Sequence, residues 1–255
     1  MKMAVIIREV PDIVEELVIA EDGRSLDKNE VKYVANELDE HALEQALIAK
    51  ENHSAHVTAM CVGGEEARDA LATSVARGAD EAVYVPLLCS DRGDCHKLAA
   101  HLAPIMEDGG YDIVFTGVQS VDQLDGCLGG LLAARLGMPY VGGLMAVEID
   151  PSLKKAVVKK DYPGGRLAVM EVDLPAVLGI QSAERPPRYV PVSRFLQIKK
   201  TMEIKEVRTP PPKVAGISVT RLLKPEAASR AKMIEGDEGE VATRIVALLK
   251  ERGLL

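Results

Sequence analysis

The stretch AHVTAMCVGGEEARDALATSVARGADEAVYVPLL, residues 55–88, decides the fold because it holds two apolar runs separated by one helical pattern. The runs, 55–64 and 81–88, are nearly continuous, as expected of strands that are covered on both faces of a parallel sheet. Between them, 64–80 opens with acidic residues and stops at Gly78, which favours a helix end. The stretch therefore predicts a strand–helix–strand unit.

The same alternation continues on both sides of this unit. Apolar runs at 4–10 and 112–120 predict further strands, and periodic patterns predict helices at 39–52, 95–110 and 129–139. Alternating strands and helices predict an open, mostly parallel, doubly wound sheet with helices on both faces. The fold class expected is therefore α/β, of the adenine-nucleotide-binding, Rossmann-like kind.

The pattern changes at about residue 144. Residues 144–180 are typical of antiparallel strands, with turns at DPSLKK (150–155) and DYPGG (161–165). Beyond residue 200, the prolines 210–212 favour an extended segment, and an amphipathic helix is predicted from about 238 to 252. We therefore expect a nucleotide-binding domain over 1–200 and an extended C-terminal arm with a helix over 201–255.

Composition excludes several classes of function. A net charge of −8 and an aromatic content of 3% disfavour nucleic acid as a partner. No apolar run approaches the roughly 20 residues that a membrane-spanning helix needs, so membrane insertion is not expected. Cys61, Cys89, Cys95 and Cys127 form no CxxC pair, so no zinc or iron–sulfur site is predicted locally. Without a recognisable signal peptide, a cytoplasmic location with free thiols is expected.

Ligands of open parallel sheets bind at the carboxyl ends of the strands, which here means four places. These are the end of strand one (8–12), the turn at Gly63 and Gly64, the loop TGVQSVDQLDG (116–126), and Asn36 at the start of the first helix. The two glycines fit either a phosphate-binding turn or a tight strand-to-helix connection. The loop fits either a ligand contact or a solvated surface. The five histidines are scattered, and no catalytic residue is predicted.

Five stretches occur in an order that resembles one known family, the beta subunits of electron transfer flavoproteins, including the related FixA proteins. They are AVIIREVPD (4–12), ANELDEHALEQAL (35–47), CVGGEEARDALATSVARGADEAVYV (61–85), TGVQSVDQLDGCLGGLLAARLGMP (116–139) and PPRYVPVSRFLQIKK (186–200). The order is more specific than any single match.

This resemblance implies a heterodimer with an alpha subunit that holds most of the redox-active FAD. The beta cleft would hold AMP, or a second FAD in electron-bifurcating members. Electrons would pass from a dehydrogenase, of the acyl-CoA or another type, to a quinone, ferredoxin or related acceptor. The dehydrogenase would contact a loop near 184–200, and the arm 201–255 would pack on the alpha subunit.

The resemblance also implies which residues bind the nucleotide. They lie on strand one, at the first helix start, before the glycine turn and along one loop: Ile6, Asn36, Val62, Gly117, Val118, Gln119, Ser120, Val121, Asp122, Gln123, Leu124, Asp125, Gly126, Cys127 and Leu128.

Two departures from the family pattern concern this loop. Val118 stands where the family usually has lysine, and 125–128 read Asp-Gly-Cys-Leu where it has hydroxyl and amide side chains. An aspartate repels a phosphate unless a cation intervenes. AMP, a second FAD and an empty cleft therefore all stay open, with the backbone amides of Gly126 and Gly129 as alternative phosphate donors.

Other functions also remain open. One alternative is an electron-bifurcating subunit, and another is a nucleotide-binding regulatory module of the universal-stress type. A third is an adenylate-forming or nucleotide-hydrolysing enzyme, for which Asp122 and Asp125 are the nearest Mg²⁺-binding carboxylates. The basic segment with Arg185, Arg188, Arg194, Lys199 and Lys200 is interpreted as a partner interface with Val192 as an apolar anchor, against a solvated loop.

Overall fold

A computed structural model describes residues 1–87, 94–210, 214, 216–225 and 233–255. Cys89 and most of the expected stiff segment, Pro211 and Pro212, lie outside these residues. Two compact units are formed, Met1–Thr220 and Arg221–Leu255.

The strands of the first unit are β1 (Lys2–Pro11), β2 (Tyr33–Ala35), β3 (His56–Gly63), β4 (Glu81–Pro86), β5 (Ile113–Gly117), β6 (Tyr140–Asp150), β7 (Lys155–Tyr162), β8 (Arg166–Asp173), β9 (Ala176–Ile180) and β10 (Ile204–Glu206). Its helices are α1 (Glu37–His53), α2 (Ala67–Arg77), α3 (Cys95–Gly109), α4 (Leu128–Leu136) and α5 (Val192–Thr201), and the second unit contains α6 (Glu238–Glu251).

One sheet runs through the first unit in the order β10-β4-β3-β1-β5-β9-β6-β7-β8, with β2 paired to β1. From β10 to β6 the neighbouring strands are parallel, whereas β7 and β8 continue the sheet as an antiparallel meander. This confirms the α/β class, the mostly parallel open sheet and the antiparallel region.

The central strand shows why the parallel part forms. All eight residues from Met3 to Val10 are buried, because α1 and α2 cover one face of the sheet and α3 and α4 cover the other. Met3, Val5 and Ile7 point to the first layer, whereas Ala4 and Ile6 point to the second. A strand buried on both faces reads as a continuous apolar run, which is the signal seen in the sequence.

Helix ends follow the expected local chemistry. Gly78 ends α2 with a φ of 133°, and its N–H donates to the carbonyls of Ser74 and Val75. The Asp94 carboxylate caps α3 by accepting hydrogen bonds from the N–H groups of His96 and Lys97.

Three expectations about the sheet and the tail need correction. β9 was expected to be antiparallel, but it inserts parallel between β5 and β6. The segment near 184–200 was expected to be a loop, but 192–201 form helix α5. The short strands β2 and β10 were not predicted, because three residues give no periodicity.

Candidate functional site

The connectivity of the sheet places a topological switch point beside β1. The chain moves from β1 through α1 to β3 and β4, and then crosses through α3 to β5 on the other side of β1. The carboxyl ends of β1 and β5 therefore open beside each other, which is where sheets of this kind bind ligands.

Asp39 ties these two strand ends to α1. One carboxylate oxygen accepts the N–H of Gly117 at 2.9 Å, and the other accepts the N–H of Arg8 at 3.0 Å and its Nε at 3.4 Å. Only 1% of Asp39 is exposed, and burial raises the pKa of its carboxyl against the opposing effect of the Arg8 guanidinium. A Cβ at position 117 would collide with this carboxylate, so the close approach requires glycine.

Asn36 precedes α1 and faces the same opening. It is fully buried, and its Nδ2 donates to the carbonyl of Gln119 at 3.0 Å. Within the described ranges, its Oδ1 has no hydrogen-bond partner. The amide nitrogen thus fixes the side chain to the loop 117–128, and the amide oxygen is the atom that could accept a hydrogen bond from a ligand.

The loop 117–128 is held in an irregular conformation by its own residues and by α3. Leu124 and Gly126 have positive φ angles of 58° and 61°, and the Leu124 N–H donates to the carbonyl of Ser120. The Cys95 thiol lies 3.3 Å from Asp125 Oδ1 and 3.5 Å from Gln123 Oε1. Burial, and then the Asp125 carboxylate, raise the pKa of Cys95 to about 12, so this thiol is a structural donor.

Several buried polar atoms around this opening lack hydrogen-bond partners. Within the part of the chain that the structure describes, they are Arg8 Nη2, Asn36 Oδ1, Thr116 Oγ1, Ser120 Oγ and Gln123 Nε2. Each orphaned buried group costs about 1–3 kcal/mol, so a native structure rarely gathers five of them in one place. These atoms make the opening a candidate site for a polar ligand.

The glycine turn after β3 is already occupied by the chain itself. The Glu9 carboxylate accepts the N–H of Gly64 at 3.0 Å, and it fills the space that a side chain at position 63 would take. An anion at the start of α2 is electrostatically favourable, and here Glu9 supplies it. Of the two interpretations of Gly63 and Gly64, the structure therefore fits the tight strand-to-helix connection better than the phosphate-binding turn.

The fold brings the predicted site residues to one end of the sheet, but it gives them different roles. The side chains of Ile6 and Val62 are packed in the layer under α3 and α4, so only their backbone can face a ligand. Gln119, Asp122, Leu124, Asp125 and Cys127 are exposed, Val118, Val121, Gln123 and Gly126 are half-buried, and Gly117, Ser120 and Leu128 are buried.

Sequence reasoning did not single out three polar residues of the site, namely Arg8, Asp39 and Thr116. Each is at least 94% buried. Arg8 and Thr116 interrupt apolar strands at their carboxyl ends, which is a signal that could have identified them. Asp39 lies in the first turn of α1, where an acid is common, so nothing local in the sequence indicates its bonds to β1 and β5.

The basic segment after β9 is anchored on α1. Arg188 donates through Nε and Nη2 to the Glu44 carboxylate at 2.8–3.2 Å, and Arg185 Nε adds a bond of 2.7 Å. Both arginines also reach Glu51. Burial raises the pKa of Glu44, but the two guanidinium groups outweigh this effect and hold it below its usual value. Lys199 also forms an ion pair with Asp69, so three of the five basic residues interpreted as interface charges are paired within the chain.

The apolar side chains of the same segment are not covered in this way. Tyr189 is 83% exposed, Val192 is 67% exposed and Leu196 is 49% exposed. The anchored arginines thus hold an apolar surface, which we define as Tyr189, Val192 and Leu196, in a fixed place beside α1.

Comparison with known proteins decides the family. Residues 24–215 match the electron transfer flavoprotein domain. The chain belongs to the electron transfer flavoprotein family. It is 31% identical to the electron transfer flavoprotein subunit beta of Methylophilus methylotrophus over 98% of both chains, and 28% identical to that of Bacillus subtilis over 92% and 93% of the two chains. It is also 31% identical, over the full length of both, to the caffeyl-CoA reductase-Etf complex subunit CarD of Acetobacterium woodii.

These matches confirm the family expected from the five ordered stretches. The chain is of the beta-subunit type, and its function is flavin-related electron transfer with an alpha partner. None of the described helices is long and apolar enough to cross a membrane. Among the described residues, no group of three His, Cys, Asp or Glu side chains could hold a metal ion.

Proposed function

We propose that the chain pairs with an alpha subunit holding the redox FAD, and that its own cleft binds one adenine nucleotide, as AMP or as the adenine end of a second FAD. The observation that supports this proposal is the convergence of five unpartnered buried polar atoms at the switch point. The chain would fix the position and electrostatics of the cofactors, while the flavin would supply the redox chemistry.

The residues proposed to contact the nucleotide are those implied by the family resemblance. Asn36 Oδ1 would accept a hydrogen bond from an amino or hydroxyl group of the ligand, and Ser120 and Gln123 would donate to it. Ile6 and Val62 would contribute backbone groups to the cleft. The remaining loop residues, from Gly117 to Leu128, would surround the sugar and phosphate.

Counting the nucleotides in the purified heterodimer tests this proposal. The chain is co-expressed with its alpha partner, the complex is denatured, and FAD and AMP are quantified separately. One FAD and one AMP per heterodimer would support a simple carrier. A complex with one FAD and no further nucleotide would refute the proposed cleft ligand.

A second candidate is an electron-bifurcating subunit, for which the same measurement would give two FAD per heterodimer. It is favoured by the full-length match to a subunit of a caffeyl-CoA reductase-Etf complex. A stable complex with a reductase, isolated without crosslinking, would separate this candidate from the simple carrier.

We further propose that a dehydrogenase docks on the apolar surface formed by Tyr189, Val192 and Leu196. Aromatic and aliphatic anchors held on a rigid support are typical of binding hot spots. Val192→Asp is expected to reduce electron transfer from the dehydrogenase at least tenfold while the flavin content stays unchanged. Leu153→Asp, at an equally exposed turn residue, is the matched control, and an equal loss in both variants would contradict this docking surface.

The second unit is proposed to pack on the alpha subunit. Asp237 and Glu240 form a capping box at the start of α6, so the helix is locally well specified. Yet Ile245 and Leu248 are each 44% exposed, and α6 has no buried residue. Deleting 237–255 should weaken the heterodimer, measured by its dissociation constant, without emptying the cleft.

A further inference from the structure

Arg8 differs from the other residues of the cleft because it is a buried cation, and one of its terminal guanidinium nitrogens makes no hydrogen bond with the described residues. It is 6% exposed, and its Nη2 has no hydrogen-bond partner among the residues that the structure describes. Its neutralising carboxylate, Asp39, accepts the Arg8 Nε at 3.4 Å but also holds two backbone N–H groups. A guanidinium has five N–H donors, so this pairing leaves much of its capacity unsatisfied.

The position of Arg8 directs this capacity toward the loop 117–128. Side chains alternate along β1, so Arg8 lies on the same face as Ile6, which packs under α3 and α4. The positive charge of Arg8 opposes the rise in the pKa of Cys95, and the Cys95 thiol contacts Asp125 and Gln123 of the loop. Arg8, at the carboxyl end of β1, and the loop that follows β5 therefore lie at the ends of neighbouring parallel strands.

The loop 117–128 is negatively charged, so an anionic ligand bound beside it needs a cation from elsewhere in the chain. Residues 117–128 include two aspartates and no lysine, arginine or histidine. The Glu9 carboxylate already takes the N–H of Gly64, and the Asp125 carboxylate lies 3.4 Å from the N–H of Cys127 at the start of α4. The chain's own acids thus occupy backbone donors that a phosphate would otherwise use.

We propose that Arg8 is the specificity-determining residue that recognises the phosphate of the bound nucleotide through Nη2. The inference rests on the proposed nucleotide cleft and adds to it the residue that distinguishes a nucleotide from a nucleoside. A charge-assisted bond from a buried guanidinium favours the phosphorylated ligand about 10- to 100-fold. The contact requires no chemical step.

The test compares AMP with adenosine on the full heterodimer after its nucleotides have been removed. In Arg8→Gln, AMP is expected to bind about 10- to 100-fold more weakly, whereas the adenosine affinity stays within twofold. Arg166→Gln, on the exposed hairpin between β7 and β8, is the matched control and should leave both affinities unchanged.

Arg8→Lys covers the case in which the glutamine variant fails to fold beside the buried Asp39. It keeps a cation but loses the planar fork, so its preference for AMP over adenosine should fall between those of the wild type and the glutamine variant. Wild-type preference in the lysine variant and in any folded glutamine variant would overturn the inference, as would equal losses for both ligands. A wild-type heterodimer that binds neither AMP nor adenosine would instead refute the proposed cleft ligand.

Discussion

Helix α1 contains two buried carboxylates, and their surroundings differ in a way that separates ligand binding from structural support. Glu44 is bound by two arginines of the segment after β9, which place six guanidinium hydrogen bonds of 3.2 Å or less on Glu44 or Glu51. Asp39 has bonds to Arg8 and Gly117, yet unpartnered polar atoms remain around it. The carboxylate of the first site is paired within the chain, whereas the second site keeps unpartnered buried polar atoms among the described residues.

The largest expected effect comes from Asp39→Asn. The change leaves the buried Arg8 cation without its carboxylate, which should lower the free energy of unfolding by about 3–5 kcal/mol. Urea denaturation measures this change in the free energy of unfolding, and Asp108→Asn, at an exposed site, is the control. A loss below about 1 kcal/mol would show that Arg8 does not depend on Asp39.

Glu44→Gln should have a smaller effect, because its arginine partners are partly exposed. We expect a loss of about 1–3 kcal/mol and faster hydrogen exchange in the segment 183–190. Glu51→Gln, whose carboxylate is half exposed, should lose less than about 1 kcal/mol. If the two variants lost the same free energy of unfolding, burial of Glu44 would not explain why its ion pairs are more stabilising than those of Glu51.

The Glu44 site should also respond to acid. The arginines hold the pKa of Glu44 below its ordinary value in the folded state, so the stabilisation is complete above about pH 4.5 and is lost as the pH falls through the lowered pKa. Glu44→Gln should remove part of this acid sensitivity. Identical pH profiles of stability for the variant and the wild type would contradict the assignment.

The smallest expected effect concerns the cleft. Asp125→Asn removes a negative charge from the loop and should tighten AMP binding about fivefold, as one like-charge contact of about 1 kcal/mol predicts. Asp122→Asn, in the same loop, should change the affinity less because no contact ties its carboxylate to the cleft. Weaker AMP binding in Asp125→Asn would mean that the aspartate holds the loop in its binding conformation.

Much of the fold could be predicted from the sequence, because each of its strong signals is local. Continuous apolar runs marked β1, β3, β4 and β5, and the antiparallel turns marked the meander. β9 was assigned the wrong direction, since an apolar run of five residues has the same appearance in either orientation. Its place between β5 and β6 depends on distant partners.

The candidate site was only partly predictable. Asn36 and the loop 116–126 were predicted from the carboxyl ends of the strands, the family resemblance extended the loop to 128, and the structure joins Asn36 to this loop through a hydrogen bond to Gln119. Arg8 and Thr116 were not singled out, because a single polar residue at a strand end has no periodicity. The role of Arg185 and Arg188 was also missed, since their partner Glu44 lies over 140 residues away in the chain.

The sequence by itself determined the layers of the molecule and the family to which it belongs, because apolar periodicity and the order of five motifs are properties of the chain. Only the tertiary structure decided which charges are paired internally and which buried polar atoms stay without a partner among the described residues. The physical reason is that desolvation and hydrogen bonding act between residues brought together from distant segments. Arg8 and Arg188 are the same residue type in the sequence. Among the described residues, Nη2 of Arg8 has no partner, whereas Nε, Nη1 and Nη2 of Arg188 all donate to Glu44 or Glu51.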